Sequence, residues 1–185
     1  MKNDIRSITE TALCAALIAV SAMISIPFPV PFTMQLFGVF FALFYLGARR
    51  GLAAVAIYVA IGAVGLPVFS GFSGGVGRLF DATGGFIFGF LLLAFVYLVF
   101  ERFLKVKYAL AIGATAALAA FYAIGSVWYC AFYTDAGVST YFASLLITVA
   151  PFVLPDAVKI CLAYALAERL SRIFRKKASE LQKKD

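Results

Sequence analysis

Long apolar runs divided by short polar, proline-rich or glycine-rich intervals set the pattern of this chain. A membrane-crossing helix needs about 20 mostly apolar residues. On that measure residues 8–26, 83–104, 108–133 and 155–174 predict spans, and 35–48 and 52–65 predict two shorter ones. The reading is therefore an all-α polytopic membrane protein, one domain over 1–185, built as a bundle of six transmembrane helices. Residues 27–33 (PFPVPFT) carry three prolines that cannot continue a helix. Residues 138–150 are apolar but number only 13, too few to cross, and predict a re-entrant or interfacial piece. The first run is expected to stay as a span, because no small-residue cleavage site follows it.

Composition agrees with that class. Of 185 residues, 64% are hydrophobic and 14% charged, whereas a soluble domain is about 45–50% apolar. The three cysteines are scattered and suggest neither a disulfide framework nor metal spacing. There is no histidine, which excludes histidine-based metal sites and Ser–His catalysis.

Charge orients the bundle. With both termini inside, the inner segments hold 14 of the 16 basic residues, leaving Arg78 outside and Lys159 in the last span. Positive residues accumulate on the cytoplasmic side, so the expected location is the cell membrane, with both termini cytoplasmic. The same asymmetry accounts for the net charge of +7 without any nucleic acid. The basic tail could also meet anionic membrane lipid.

Two features then stand out, and this topology puts both at the outer end. Between Gly62 and Gly89 lie nine of the 15 glycines. Such a stretch cannot be a stable lipid-facing helix, and irregular backbone at membrane depth is tolerated only inside protein or beside a cavity. It predicts an outer loop or re-entrant segment whose backbone groups are free for a ligand; a plain glycine-rich hairpin is the other reading. No phosphate-binding glycine loop or dinucleotide fingerprint is present. The second feature is Asp156 and Lys159, three residues apart and so on one helical face. Charge at membrane depth costs about 2.5–3.5 kcal/mol per residue and marks functional groups by default, although a structural ion pair between helices is also possible. Asp156, just after Pro155, is expected at a helix N-terminus, where the dipole favours its charge.

Several stretches together resemble the BioY family: PVPFTMQ, ARRGLAAVAIYVAIGAVGLPVF, a GG pair, TGGFIFGF and PFVLPDAVK, in order along 11–159. The chain departs from the family pattern in having Asp81-Ala82-Thr83-Gly84-Gly85 for Gly-Pro-Thr-Gly-Gly, and Leu154-Pro155-Asp156 for Pro-Gly-Asp. Ser73 stands near a position where the family often has Asn. The resemblance implies the biotin-binding S component of an energy-coupling-factor (ECF) transporter, with an outer pocket. Its implied partners are a transmembrane T component and two ATPase subunits; it implies no cofactor and no catalysis. It also implies that small residues on the first helix dock the T component. Ala12 with Ala16, and Ala15 with Ala19, are the small-xxx-small pairs there, although spacing alone equally suits packing within the bundle.

For biotin, Asp156 could accept from the ureido N–H groups. Lys159 could donate to the ureido carbonyl or pair with the ligand carboxylate, and both roles stay open. Gln35 offers a donor and an acceptor. Arg78 is a candidate for the carboxylate or a partner for Asp81. Tyr58, Phe32, Phe69 and Phe72 could wall the ring. Other readings are an S component for a different vitamin, or a membrane enzyme, which would need an activated nucleophile without histidine.

Overall fold

A computed structural model describes residues 2–27, 30–104, 108–133 and 149–182. Among these, Lys2–Met23 forms α1, Gln35–Leu46 α2, Ala48–Val64 α3, Val76–Leu79 α4 and Gly84–Phe103 α5. A π-helical turn, Ala109–Gly113, leads into α6, Ala114–Tyr133, and Ala150–Gln182 forms α7. Four helices contain stretches long and apolar enough to cross a membrane: Asp4–Met23, Gly84–Phe103, Leu110–Phe132 and Ala150–Phe174.

The twelve-residue α2 is too short to span alone at about 1.5 Å per residue. It sits instead at the centre of the bundle, touching α1, α3, α5 and α7, with nine of its residues buried. Its burial among those helices keeps so short a helix away from lipid, where irregular backbone is not tolerated. The core is aromatic and aliphatic, with Phe40, Leu43, Val55, Tyr58 and Leu93 among its fully buried side chains. Helices α5 and α6 approach closely because glycine occupies their contact: a Cβ at Gly85 would lie 2.2 Å from the Trp128 Cβ, and one at Gly125 would lie 2.3 Å from the Phe86 ring. Small residues at such contacts let two helix backbones come together.

Several expected boundaries move. The chain breaks between α2 and α3 at Gly47, whose φ of 81° is a left-handed conformation that glycine adopts without a side-chain clash. Consequently α3 starts at Ala48, and Arg49 and Arg50 occupy its first turn rather than a loop. Cations there oppose the helix dipole, and two carboxylates offset this. Glu101 accepts the Ala48 N–H at 3.0 Å, and Glu10 of α1 accepts from Arg50 Nη1 at 3.3 Å. The expected proline loop is partly a β-hairpin. Its strands, Ser25–Ile26 (β1) and Phe32–Thr33 (β2), pair antiparallel with Ser25 opposite Thr33, a small exception to the all-α reading. The sixth expected span begins earlier, at Ala150, so Pro155 and Asp156 lie within α7 and not at its N-terminus. Pro155 has no N–H to give the Pro151 carbonyl. The proposed re-entrant piece, 138–150, lies outside the described residues except for Val149, in a turn, and Ala150, which opens α7.

Candidate functional site

A cavity opens between the β-hairpin, the N-terminal ends of α2 and α5, the glycine-rich passage and the facing parts of α6 and α7. The hairpin contributes Val30, Pro31 and Thr33, and α2 contributes Gln35 and Leu36. Phe86, Ile87 and Phe90 of α5 and Phe121 of α6 form an apolar wall, while the glycine-rich passage supplies Phe69, Ser70, Arg78 and Thr83. Phe152 and the polar residues Tyr122, Asp156 and Lys159 complete it.

Asp156 and Lys159 are each only 5% exposed. Lys159 Nζ donates to Asp156 Oδ1 at 2.7 Å and to the Thr33 carbonyl at 2.8 Å. It also lies 3.7 Å from the Phe32 ring centroid, a cation–π contact, and that ring stacks on Phe152 of α7 at 5.7 Å. The second Asp156 oxygen accepts from the Tyr122 hydroxyl at 2.6 Å. The charge of Asp156 is thus held by a lysine one turn on and a phenol from another helix. The expected helix-dipole support is absent because the helix starts six residues earlier, at Ala150.

The other expected site residues divide into cavity-lining and supporting groups. Gln35 lines the cavity, and both ends of its amide are anchored. Its Nε2 donates to the Tyr58 hydroxyl at 2.6 Å, and its Oε1 accepts from Thr33 Oγ1 at 2.9 Å. Tyr58 itself is 1% exposed and does not line the cavity; it holds Gln35 from behind and meets Phe69 edge to face. Arg78 lines the cavity and pairs with Asp81. Ser73 is not in the wall. Its Oγ accepts from Arg78 Nε at 3.0 Å and donates to the Ser70 carbonyl at 2.7 Å, so it positions the guanidinium. Phe32, Phe69 and Phe72 also separate: Phe69 is in the wall, Phe32 covers Lys159, and Phe72 is exposed.

The glycine-rich backbone is bonded largely to itself. Gly75 N–H donates to the Gly62 carbonyl at 2.7 Å, and Phe69 and Ser73 bridge each other. Side chains therefore carry most of its contribution to the cavity. Trp128 of α6 ties the end of this passage down by donating to the Asp81 carbonyl at 2.9 Å.

Sequence reasoning missed Tyr122, Phe152 and the Thr33 carbonyl. A tyrosine within an apolar span is a usable signal, since a buried phenol needs a hydrogen-bond partner. Nothing in the sequence marks the other two. Of the alanines on α1, Ala12 and Ala16 are exposed, Ala15 is buried and Ala19 is half-buried against the core.

Known proteins share this sequence and architecture. The chain resembles the biotin transporter BioY of Thermotoga maritima, 42% identical over 170 residues that cover 91% of this chain and 97% of that one. It also resembles a probable biotin transporter BioY of Pyrococcus horikoshii, 37% identical over 166 residues, covering 89% and 96%. The fold matches a crystal structure of the S-component for biotin from an ECF-type ABC transporter, with a TM-score of 0.79 and 24% identity over 92% of this chain and 93% of that one. The BioY family profile matches residues 1–176, and the chain belongs to the BioY family.

Proposed function

We propose that this protein captures biotin as the S component of an ECF-type uptake transporter, and is not an enzyme. The observation that carries the reading is the buried Asp156–Lys159 pair facing an otherwise largely apolar cavity. Buried charge of this kind in a membrane protein marks a binding or transport function, and the relatives named biotin transporters give it a ligand. Biotin has a polar ureido ring, an apolar ring and chain, and a carboxylate, which suit a cavity with few convergent polar groups. Asp156, Lys159 and Gln35 engage the ureido end. Arg78, nearer the glycine-rich passage, meets the carboxylate, with Ser73 and Tyr58 supporting Arg78 and Gln35 in turn.

The whole chain forms one membrane domain of six passes, with α2 and α3 as the short ones. Both termini face the cytoplasm, and the cavity opens at the opposite, outer face. The charge distribution supports this: Arg6, Glu10, Arg50 and Glu101 gather at the end of the bundle away from the cavity. With no nucleotide-binding motif of its own, the chain takes its energy from a T component and two ATPase subunits. The T component docks on α1, where Ala12 and Ala16 leave room for another helix.

Titration calorimetry of the purified protein tests the reading. One biotin per chain is expected, with weaker but measurable binding of desthiobiotin, which keeps the ureido group. Folded protein that gives no heat and no competition at micromolar biotin overturns it.

A further inference from the structure

The hydroxyl of Tyr122 has one proton, and the structure commits it. It donates to Asp156 Oδ2 at 2.6 Å, and Asp156 also receives a donor from Lys159. A carboxylate in an ion pair only accepts, so the phenol can only be the donor in that bond. What Tyr122 retains for the cavity it lines is the lone pairs of its oxygen. Lys159 is the reverse case: an ammonium has three donors and no acceptor. Two of those donors go to Asp156 and to the Thr33 carbonyl, which leaves one, with the Phe32 ring 3.7 Å from the ammonium. A single carboxylate therefore holds, on its two oxygens, one group that can only accept from a ligand and one that can only donate.

We infer that Tyr122 determines the ligand specificity of this site. Its oxygen accepts a hydrogen bond from a ligand N–H, while the remaining Lys159 donor goes to the adjacent ligand carbonyl. The site thereby selects the N–H/C=O edge of a cyclic urea or lactam. This deepens the biotin reading above and rests on it, and it gives Lys159 the ureido carbonyl rather than the carboxylate. The apolar Phe86, Phe90 and Phe121 line the same cavity, so a ligand of the wrong polarity leaves both groups without a ligand partner, the condition under which discrimination is largest.

The test is a cycle between Tyr122→Phe and biotins methylated on one or the other ureido nitrogen, with affinities from calorimetry and folding followed by thermal melting. In the wild type, methylation of the nitrogen facing Tyr122 is expected to weaken binding by about 10–100-fold, the scale of one buried unpaired polar group. Tyr122→Phe is expected to weaken biotin itself by a similar factor, and methylation of that same nitrogen then adds little. A purely structural Tyr122 predicts instead an equal loss for biotin and both methylated forms, and that additivity overturns the inference. If Tyr122→Phe fails to fold, the wild type still decides: equal affinity for biotin and both methylated forms also overturns it. A wild type that binds no biotin removes the biotin reading together with this one, whereas biotin binding with additive losses removes this one alone.

Discussion

Lys159 of α7 donates to the backbone carbonyl of Thr33 in the hairpin, 126 residues earlier, at 2.8 Å. One ammonium thus joins the helix that carries the site's acid to the strand that closes the cavity's edge. With the Phe32 ring against the ammonium and stacked on Phe152, the β-hairpin is fastened to α7 by the same side chain that neutralises Asp156. In the proposed reading, ligand capture and closure of this edge share a residue.

Breaking the pair leaves a buried charge uncompensated, which costs about 3–5 kcal/mol. Asp156→Asn and Lys159→Ala are each expected to lose biotin affinity by about 100-fold or more in titration calorimetry, since each tenfold in affinity is about 1.4 kcal/mol. Lys159→Ala is also expected to free the hairpin, seen as faster amide exchange at the paired residues Ser25, Ile26, Phe32 and Thr33, and Asp156→Asn much less so. Both variants folding and binding like wild type would place the ligand elsewhere.

Replacing both partners separates stability from function. A well-packed apolar substitute for a buried ion pair is often neutral or stabilising by about 1–4 kcal/mol. Asp156→Leu combined with Lys159→Met still removes the partners of the Tyr122 hydroxyl and the Thr33 carbonyl, so it is expected to melt closer to the wild-type temperature than either single variant and to bind no biotin. A double variant that still binds would show that the pair does not contact the ligand.

Exposure separates the α1 alanines. Ala12→Trp or Ala16→Trp projects from the exposed face and is expected to leave biotin affinity unchanged while uptake falls sharply in cells expressing the T component and ATPases. Ala15 is 4% exposed and in the core, so Ala15→Trp is expected to lower the stability of the isolated protein by about 1–3 kcal/mol, the usual effect of overpacking. Thermal melting beside an uptake assay checks both. Normal uptake in the Ala12 and Ala16 variants would move the docking face off this surface.

A glycine behind the cavity wall should be as sensitive as the wall. A Cβ at Gly62 would lie 2.2 Å from Cζ of Phe69, which is 2% exposed and lines the cavity. Gly62→Ala is expected to displace Phe69, to cost about 1–3 kcal/mol of stability and to weaken biotin binding. Unchanged affinity would mean that Phe69 does not touch the ligand.

Glu101 offers a control at the far end of the bundle. It accepts the Ala48 N–H beside the Gly47 break, a capping role whose loss costs about 1 kcal/mol. Glu101→Ala is therefore expected to lower the melting temperature and leave biotin affinity as it was. A large affinity loss in the folded variant would couple the α2–α3 elbow to the cavity.

The apolar runs, the proline interval and the placement of basic residues made the membrane class and most helices legible from the sequence, because lipid requires long runs of apolar helix. Asp156 and Lys159 were legible too, since two charges in such a run have a high cost and their spacing already puts them on one face. Which groups surround them was not. Tyr122 is 34 residues from Asp156 and on another helix; Thr33 meets Lys159 only through its carbonyl, which no residue type announces. Likewise Ser73 and Tyr58 have the right chemistry for the site, yet they stand behind Arg78 and Gln35. The start of α7 at Ala150 and the break at Gly47 are tertiary outcomes of the same kind. Pro151 and Pro155 each suit the first turn of a helix, and α7 takes the earlier start. Periodicity and hydropathy report what a residue prefers as a solvent; a hydrogen bond between distant helices depends on rotation and register, which only the packed bundle sets.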